Sequence, residues 1–554
     1  MRLPARVAHG GNLLVDQLVA EGVERVFCVP GESYLAALDA LHDAPVHTVV
    51  ARHEGGAAMM AEAHGKITGR PGVAFVTRGP GATNASAGVH VAMQDSTPMV
   101  LFVGQVASDQ RDREAFQEVD LRAMFAPLAK WAAEIDRTDR IPEYVARAFR
   151  VAASGRPGPV VLALPEDVLS AEAPGPREAL PPVPPLRHEP SVAEIDAVRD
   201  ALSEAERPLA IVGGGGWSGE ATVALAKLAT DWDLPIGTSF RCQDYFDNRH
   251  DCYAGDVGIG IDPALARRVA EADLLLVIGA RLGEMTTGGY TLVRAPVPEQ
   301  ALIHVHADPD EIGRVYRPAL GIAANPSSFV QALARLSPER PPQWSAWRAA
   351  ARADRTEWIR PRETPGSVRL ERVVAHLNDV LPAEAFVANG AGNYAAWMHR
   401  YFEYRGWSDG VRTQLAPTSG SMGYGLPAAI AAKLAHPARE AIALAGDGCF
   451  QMTMAEFGTA CEQEANVVVL VCNNGVYGTI RMHQELRYPG RPSATGLANP
   501  DFAALARSYG AFGETVENDA EFPAALERAR SAGRPALLDL RTDPAAVTPR
   551  TSAL

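Results

Sequence analysis

Short, unbroken apolar runs recur along the chain: "RVFCV", "GVAFVT", "PMVLFVG" and "PVVLAL", then "PLAIVGGGG", "ADLLLVIGA" and "ALIHVHAD", then "EAFVANG", "EAIALAGDG", "NVVVLVCNN" and "PALLDLRTD". Between them lie amphipathic or alanine-rich stretches of helix length. A short continuous apolar run between two helices predicts a parallel strand covered on both faces. Two proline-rich stretches, "EAPGPREALPPVPPLRHEP" (172–190) and "SPERPPQWSAWRAAARADRTEWIRPRETPG" (337–366), interrupt the rhythm. Clustered proline removes backbone donors and fixes extended geometry, so both read as linkers, the second with a helical middle. The pattern therefore predicts an α/β protein of three doubly wound parallel-sheet domains, at 1–171, 190–336 and 366–545.

Composition agrees with several cores, because 554 residues exceed what one core organises. With 47% hydrophobic and 21% charged residues the chain is globular, and a formal net charge of -14 disfavours a polyanionic partner. No basic run carries interleaved aromatics, so nucleic acid is not expected. The N-terminal stretch lacks an apolar signal core, and no apolar run approaches the roughly 18 residues that span a bilayer. A cytoplasmic protein without a membrane partner is the expectation. The six cysteines form no C-x-x-C pair, and four of them sit among apolar or small neighbours as buried thiols. Cys242 and Cys252 bracket His250 and could be read as metal ligands, but the spacing fits no usual zinc pattern.

Ligands of doubly wound sheets bind beyond the carboxyl ends of the strands. After "EAIALA" comes Gly446-Asp447-Gly448, and after "NVVVLVC" comes Asn473-Asn474-Gly475. Residues 449–472 between them make one helix and one strand, the crossover that sets the two strands side by side in parallel. Asp447 and Asn474 offer hard oxygen ligands, while the glycines let backbone N–H groups approach a phosphate, so the pair suits Mg²⁺ and a diphosphate. Taken singly, each loop is also a common turn or hairpin signal.

At these residues the sequence resembles a known family. "GDGCFQMTMAEFGTACEQEANVVVLVCNN" is similar to the signature of thiamin-diphosphate-dependent enzymes of the acetolactate synthase-like group, 2-oxo acid decarboxylases and carboligases. "RHEGGAAMMAEAHGKITGRPGV", "GPGATN", "GRPGPVVLALPEDV", "ADPDEIG" and "GSMGYGLPAAI" extend the resemblance over nearly the whole chain. It implies pyrimidine-binding, middle and diphosphate-binding domains in that order. It places Gly446, Asp447, Gly448 and Cys449 against the cofactor, with Mg²⁺ held by Asp447, the Asn474 side chain and the Val476 carbonyl. Gly392 and Asn393 of "GAGNY" correspond to a segment that touches the diphosphate, although Gly390 stands where relatives often carry an acid.

The resemblance gives Glu54 the central role, a hydrogen bond to N1′ of the aminopyrimidine, which makes the neighbouring 4′-nitrogen a base for the thiazolium C2 proton. Glu54 must then stay protonated or share a proton, which its apolar neighbours Ala57, Ala58 and Met59 favour. Its alternative is a solvated glutamate favoured by the helix dipole. Met422 would be the apolar wedge that bends the cofactor, or else a core methionine, and the Gly420 carbonyl would accept from the 4′-amino group. Because the family builds each site across a subunit interface, a homodimer or homotetramer is implied.

Phe116 and Gln117 should face the substrate, with Gly79-Pro80-Gly81 lining the same cavity. The histidine pair of pyruvate decarboxylases is missing, which favours carboligation over release of a free aldehyde. Two departures, His483 where many acetolactate synthases have tryptophan and Glu32-Ser33 where they have paired glycine, leave the donor and acceptor open. His483 reads equally as a substrate contact or a solvated helix residue. "GGGG" at 213–216, "GARLGE" at 279–284 and Asp308 are compatible with FAD in the middle domain, and that cofactor is left open. A lyase, hydrolase or simple decarboxylase acting on acyloins, diones or 2-oxo acids is the alternative chemistry. A non-catalytic metabolite-binding regulator is the alternative of another class.

Overall fold

Three six-stranded sheets, all parallel, carry the chain. The computed structural model describes residues 8–173 and 178–549, so 174–177 of the first proline-rich stretch lie outside the described residues. The first sheet holds β1 Arg25–Cys28, β2 His47–Val50, β3 Gly72–Val76, β4 Met99–Gln105, β5 Trp131–Glu134 and β6 Pro159–Pro165. The second holds β7 Pro208–Val212, β8 Ile236–Ser239, β9 Tyr253–Val257, β10 Leu274–Ile278, β11 Ala301–His306 and β12 Leu320–Ala323. The third holds β13 Phe386–Asn389, β14 Gln414–Leu415, β15 Ala441–Gly446, β16 Val468–Asn473, β17 Phe512–Val516 and β18 Ala536–Arg541. The α/β class of three doubly wound sheets is as the apolar runs predict.

Every residue of β4 and β6 is buried, because helices cover both faces of the sheet and leave no polar face to alternate with. Phe75 of β3 stacks on Phe102 of β4 at 4.7 Å between ring centroids, part of the first core. Strand order is β2-β1-β3-β4-β6-β5, β12-β11-β10-β7-β8-β9 and β14-β13-β15-β16-β18-β17. The order reverses between β1 and β3, between β7 and β10, and between β13 and β15, and the first and third sheets reverse again at their β6–β5 and β18–β17 edges. Such a reversal opens a crevice beyond the strand ends, which is where a ligand fits.

Two compact units result. The first comprises residues 1–186 with two later segments, Ile430–Ala435 and Thr453–Glu464; the second contains the middle and third sheets. The second proline-rich stretch is more than a linker. Its helix Ser345–Trp358 lies on the middle sheet, where the Trp344 indole donates to the Asp233 carbonyl at 2.9 Å and Arg348 pairs with Asp233 at 2.7 Å. No helix among the described residues is long and apolar enough to cross a membrane.

Candidate active site

The third sheet reverses between β13 and β15, and the loops after β13, β15 and β16 close around a cavity of about 260 Å³. Its wall includes Gly392, Asn393, Gly420, Met422, Gly446, Asp447, Gly448, Cys449, Asn474 and Val476, all ten of the residues that the sequence assigns to cofactor and metal in this block.

Asp447 follows β15 directly and begins the short helix Asp447–Gln451. Its carboxylate accepts from Gly448 N at 2.8 Å, Gly475 N at 2.8 Å and the Asn499 amide at 2.7 Å. Burial pushes this carboxyl above its ordinary value, and the hydrogen bonds from Asn499, Gly448 and Gly475 oppose that rise. A cation beside it would favour the charged form further. Asn474 Oδ1 accepts from Val476 N at 3.1 Å, a turn that sets the amide oxygen and the Val476 carbonyl in one short loop. Three oxygens of this kind suit a hard divalent cation that completes its shell with water and phosphate oxygen.

Sequence reasoning missed two supports of this site. Asn499 donates to Asp447 and also to Asn473 Oδ1 at 2.8 Å, and its own oxygen accepts from Gln451 at 2.9 Å. Asn473 in turn donates to buried Asp539 at 2.9 Å. Nothing in the spacing of "LANPDF" marks Asn499 as a neighbour of Asp447. The second support is Tyr394. Its hydroxyl accepts from Gly390 N at 3.1 Å and donates to Cys449 Sγ at 3.2 Å, while Cys449 Sγ also accepts from Gly423 N at 3.2 Å. One phenol and one thiol thus tie together the loops of Gly392, Met422 and Asp447. They also explain Gly390, since a Cβ there would lie 2.5 Å from Cys449 Sγ. Asn393 is held by Thr479, whose hydroxyl bonds it at 2.9 Å.

Glu54 belongs to the first unit, at the start of the helix Glu54–Thr68 that follows β2. The helix is buried from Gly55 to Ala63, but the Glu54 side chain remains half-buried, with Oε2 accepting from Asn84 at 2.9 Å. Phe116 is 71% exposed, and Gln117 sits at φ 64° with its carbonyl accepting from Gly79 N at 3.0 Å. That bond joins the Phe116-Gln117 segment to Gly79-Pro80-Gly81. Glu32 and Arg78 form an ion pair at 3.2 Å, and Ser33 bonds Thr77 at 2.9 Å, so the Glu32-Ser33 departure is matched across β1 and β3. His483 is exposed on the helix Gly478–Arg487.

The glycine loops of the middle sheet meet at its reversal, between β7 and β10. Gly213 N donates to the Ile278 carbonyl at 3.1 Å and Gly279 N to the Val305 carbonyl at 2.8 Å, continuing the ladder past the strand ends. Trp217 and Tyr245 donate to the carbonyls of Gly213 and Gly214. A Cβ on Gly214 would lie 1.9 Å from the Gly279 carbonyl, so these glycines serve the packing of loop on loop at the reversal of the sheet. Asp308 caps the short turn Pro309–Glu311, and Arg281 pairs with buried Glu311 at 3.4 Å. Cys242, His250 and Cys252 form no metal site: Cys252 donates to the Ala229 carbonyl at 3.3 Å and His250 bonds Thr230 at 3.2 Å. Among the described residues no cluster of three His, Cys, Asp or Glu side chains could hold a metal ion.

Comparison with known proteins agrees with the domain order. The N-terminal TPP binding domain of the thiamine pyrophosphate enzymes matches residues 8–124, their central domain 195–333, and their C-terminal TPP binding domain 390–540. The chain is 31% identical to the acetolactate synthase large subunit of Haemophilus influenzae, over 94% of this chain and 92% of that one. It is 30% identical to the acetolactate synthase isozyme 2 large subunit of Escherichia coli, over 97% and 96%. With the acetolactate synthase of Mycobacterium bovis it shares 32%, over 94% and 86%. A cavity at the reversal of the third sheet, three matched domains and identity across almost the whole chain place this protein in the thiamine pyrophosphate enzyme family, among its acetolactate synthase-like members.

Proposed function

We propose that the chain decarboxylates a 2-oxo acid with thiamin diphosphate and joins the retained acyl unit to a second carbonyl compound. The observation that supports this best is the cavity at the β13–β15 reversal, where the Asp447 and Asn474 loops meet the Met422 loop. When bound, thiamin diphosphate supplies a nucleophilic carbon and a sink for the electron pair left by CO₂. Asp447, Asn474 Oδ1 and the Val476 carbonyl would hold Mg²⁺ against the diphosphate, with Gly392 and Asn393 of the same cavity wall contributing contacts. Met422 lines the cavity beside them, and the Gly420 carbonyl would accept from the aminopyrimidine. Glu54 holds the proton at N1′ of that ring, acting in a homodimer or dimer of dimers on the cofactor of the partner subunit. Phe116 and Gln117 contact the substrate together with Gly79-Pro80-Gly81. This chemistry calls on no flavin, since thiamin diphosphate supplies both the nucleophile and the electron sink. Incubation of the holoenzyme with a panel of 2-oxo acids, with and without aldehyde or 2-oxo acid acceptors, followed by mass spectrometry, tests it. A 2-hydroxy ketone or 2-hydroxy-3-oxo acid is the expected main product. Free aldehyde as the main product at saturating acceptor, or cleavage of an acyloin without consumption of any 2-oxo acid, would overturn it.

A further inference from the structure

Glu456 lies in the sequence of the third block, yet it belongs to the first unit through the segment Thr453–Glu464. It is fully buried, and its carboxylate serves the backbone just ahead of Glu54. Oε1 accepts from His53 N at 2.9 Å, both oxygens accept from Arg52 N at 3.1 and 3.2 Å, and Oε2 accepts from the Thr459 hydroxyl at 2.7 Å. The neighbouring Arg52 guanidinium pairs with Glu462 of the same segment. His53 is the N-cap of the Glu54 helix, where its ring nitrogen accepts from Gly55 N at 3.0 Å. The peptide units on the N-terminal side of Glu54 are therefore held by one carboxylate, while Asn84 holds the Glu54 carboxylate itself.

The helix is also shaped to admit this group. A Cβ at Gly56 would lie 2.2 Å from Glu456 Oε1 and 2.5 Å from its Cδ, so any larger residue forces the carboxylate out. A full carboxylate buried against two backbone donors and a hydroxyl costs desolvation that a neutral amide or an apolar residue would avoid. A surface contact or a void-filling residue would not call for it. Fixing the rotation of the first helical turn does, because Glu54 must present its carboxyl to a single ring nitrogen, and small misplacements of a catalytic group cost large factors in rate.

We infer that Glu456 is a positioning residue for Glu54: it fixes the Arg52-His53 turn from which Glu54 reaches the cofactor. The inference rests on the Glu54 reading above. Deuterium exchange at C2 of bound thiamin diphosphate, measured at saturating cofactor in the holoenzyme, separates the two. Glu54→Gln should nearly abolish exchange. Glu456→Gln keeps the shape but removes one acceptor, and Gly56→Ala leaves both glutamates in place but displaces the carboxylate. Each should slow exchange about tenfold or more, with cofactor affinity and thermal midpoint close to wild type. Unchanged exchange in Glu54→Gln would overturn the Glu54 reading and this inference with it. Slow exchange in Glu54→Gln but wild-type exchange in Glu456→Gln and Gly56→Ala would overturn this inference alone. If Glu456→Gln does not fold, Gly56→Ala decides, and wild-type exchange there overturns the inference.

Discussion

Asn499 shows at the scale of one residue how a carboxylate proposed to hold a metal is fixed in place. Asp447 could rotate away from a cation if its only constraint were the helix it begins. Gly475 N and Asn499 prevent this together, and Asn499 also donates to Asn473 while Gln451 holds its own oxygen. Partners of this outer kind set the orientation of a metal ligand, and their loss costs affinity in proportion. Asn499→Ala should therefore weaken thiamin diphosphate binding in the presence of Mg²⁺ by about 10- to 100-fold, read by calorimetric titration. Affinity equal to wild type would show that Asp447 needs no such support. The place of Asp447 and Asn474 on the cavity wall was legible, since acid and amide stand straight after apolar strand runs. Asn499, Tyr394 and Glu456 were not, because each acts through a contact distant in sequence that no local pattern encodes.

Among the elements, legibility followed the continuous apolar run rather than burial itself, since buried β8, β9 and β14 carry Gly, Thr, Asp or Gln and have none. The strands announced by apolar runs, such as β4, β6 and β16, are fully buried along their length. The outer strands β2, β5, β12 and β17 are half-exposed and carry mixed residues, so no continuous run reveals them. The second proline-rich stretch misleads for a different reason. Its helix Ser345–Trp358 is charged on one side, and its anchor, Trp344, precedes it. Trp344 is only 3% exposed, packs into the core of the middle sheet, and spends its indole N–H on the Asp233 carbonyl. Trp344→Ala should leave a cavity and an unpaired carbonyl, costing about 3–5 kcal/mol. A lower urea midpoint for the loss of ordered structure is the expected result. An unchanged midpoint would mean that the stretch is a solvated spacer after all.

Across the whole molecule, the residue proposed to activate the cofactor and the residues proposed to hold it belong to different compact units: Glu54 to the first, Asp447 and Asn474 to the second. The proposed dimer assigns each active site one contribution from each subunit, and this arrangement has a consequence that a site completed within one chain does not share. Glu54→Gln and Asp447→Ala homodimers should both be inactive, the first for lack of the proton partner and the second for lack of the metal ligand. Mixed dimers of the two differ. One site then pairs the altered Glu54 position with the altered Asp447 position and is doubly impaired. The other pairs the wild-type Glu54 of the Asp447→Ala chain with the wild-type Asp447 of the Glu54→Gln chain, so it is intact. Co-expression with two different affinity tags, followed by sequential purification of the mixed dimer, isolates the relevant species. Its turnover per dimer should be about half that of wild type, since one of two equivalent sites works. Were each site built within one chain, every chain in the mixture would carry one lesion in its own site, and the mixed dimer would be as inactive as its parents.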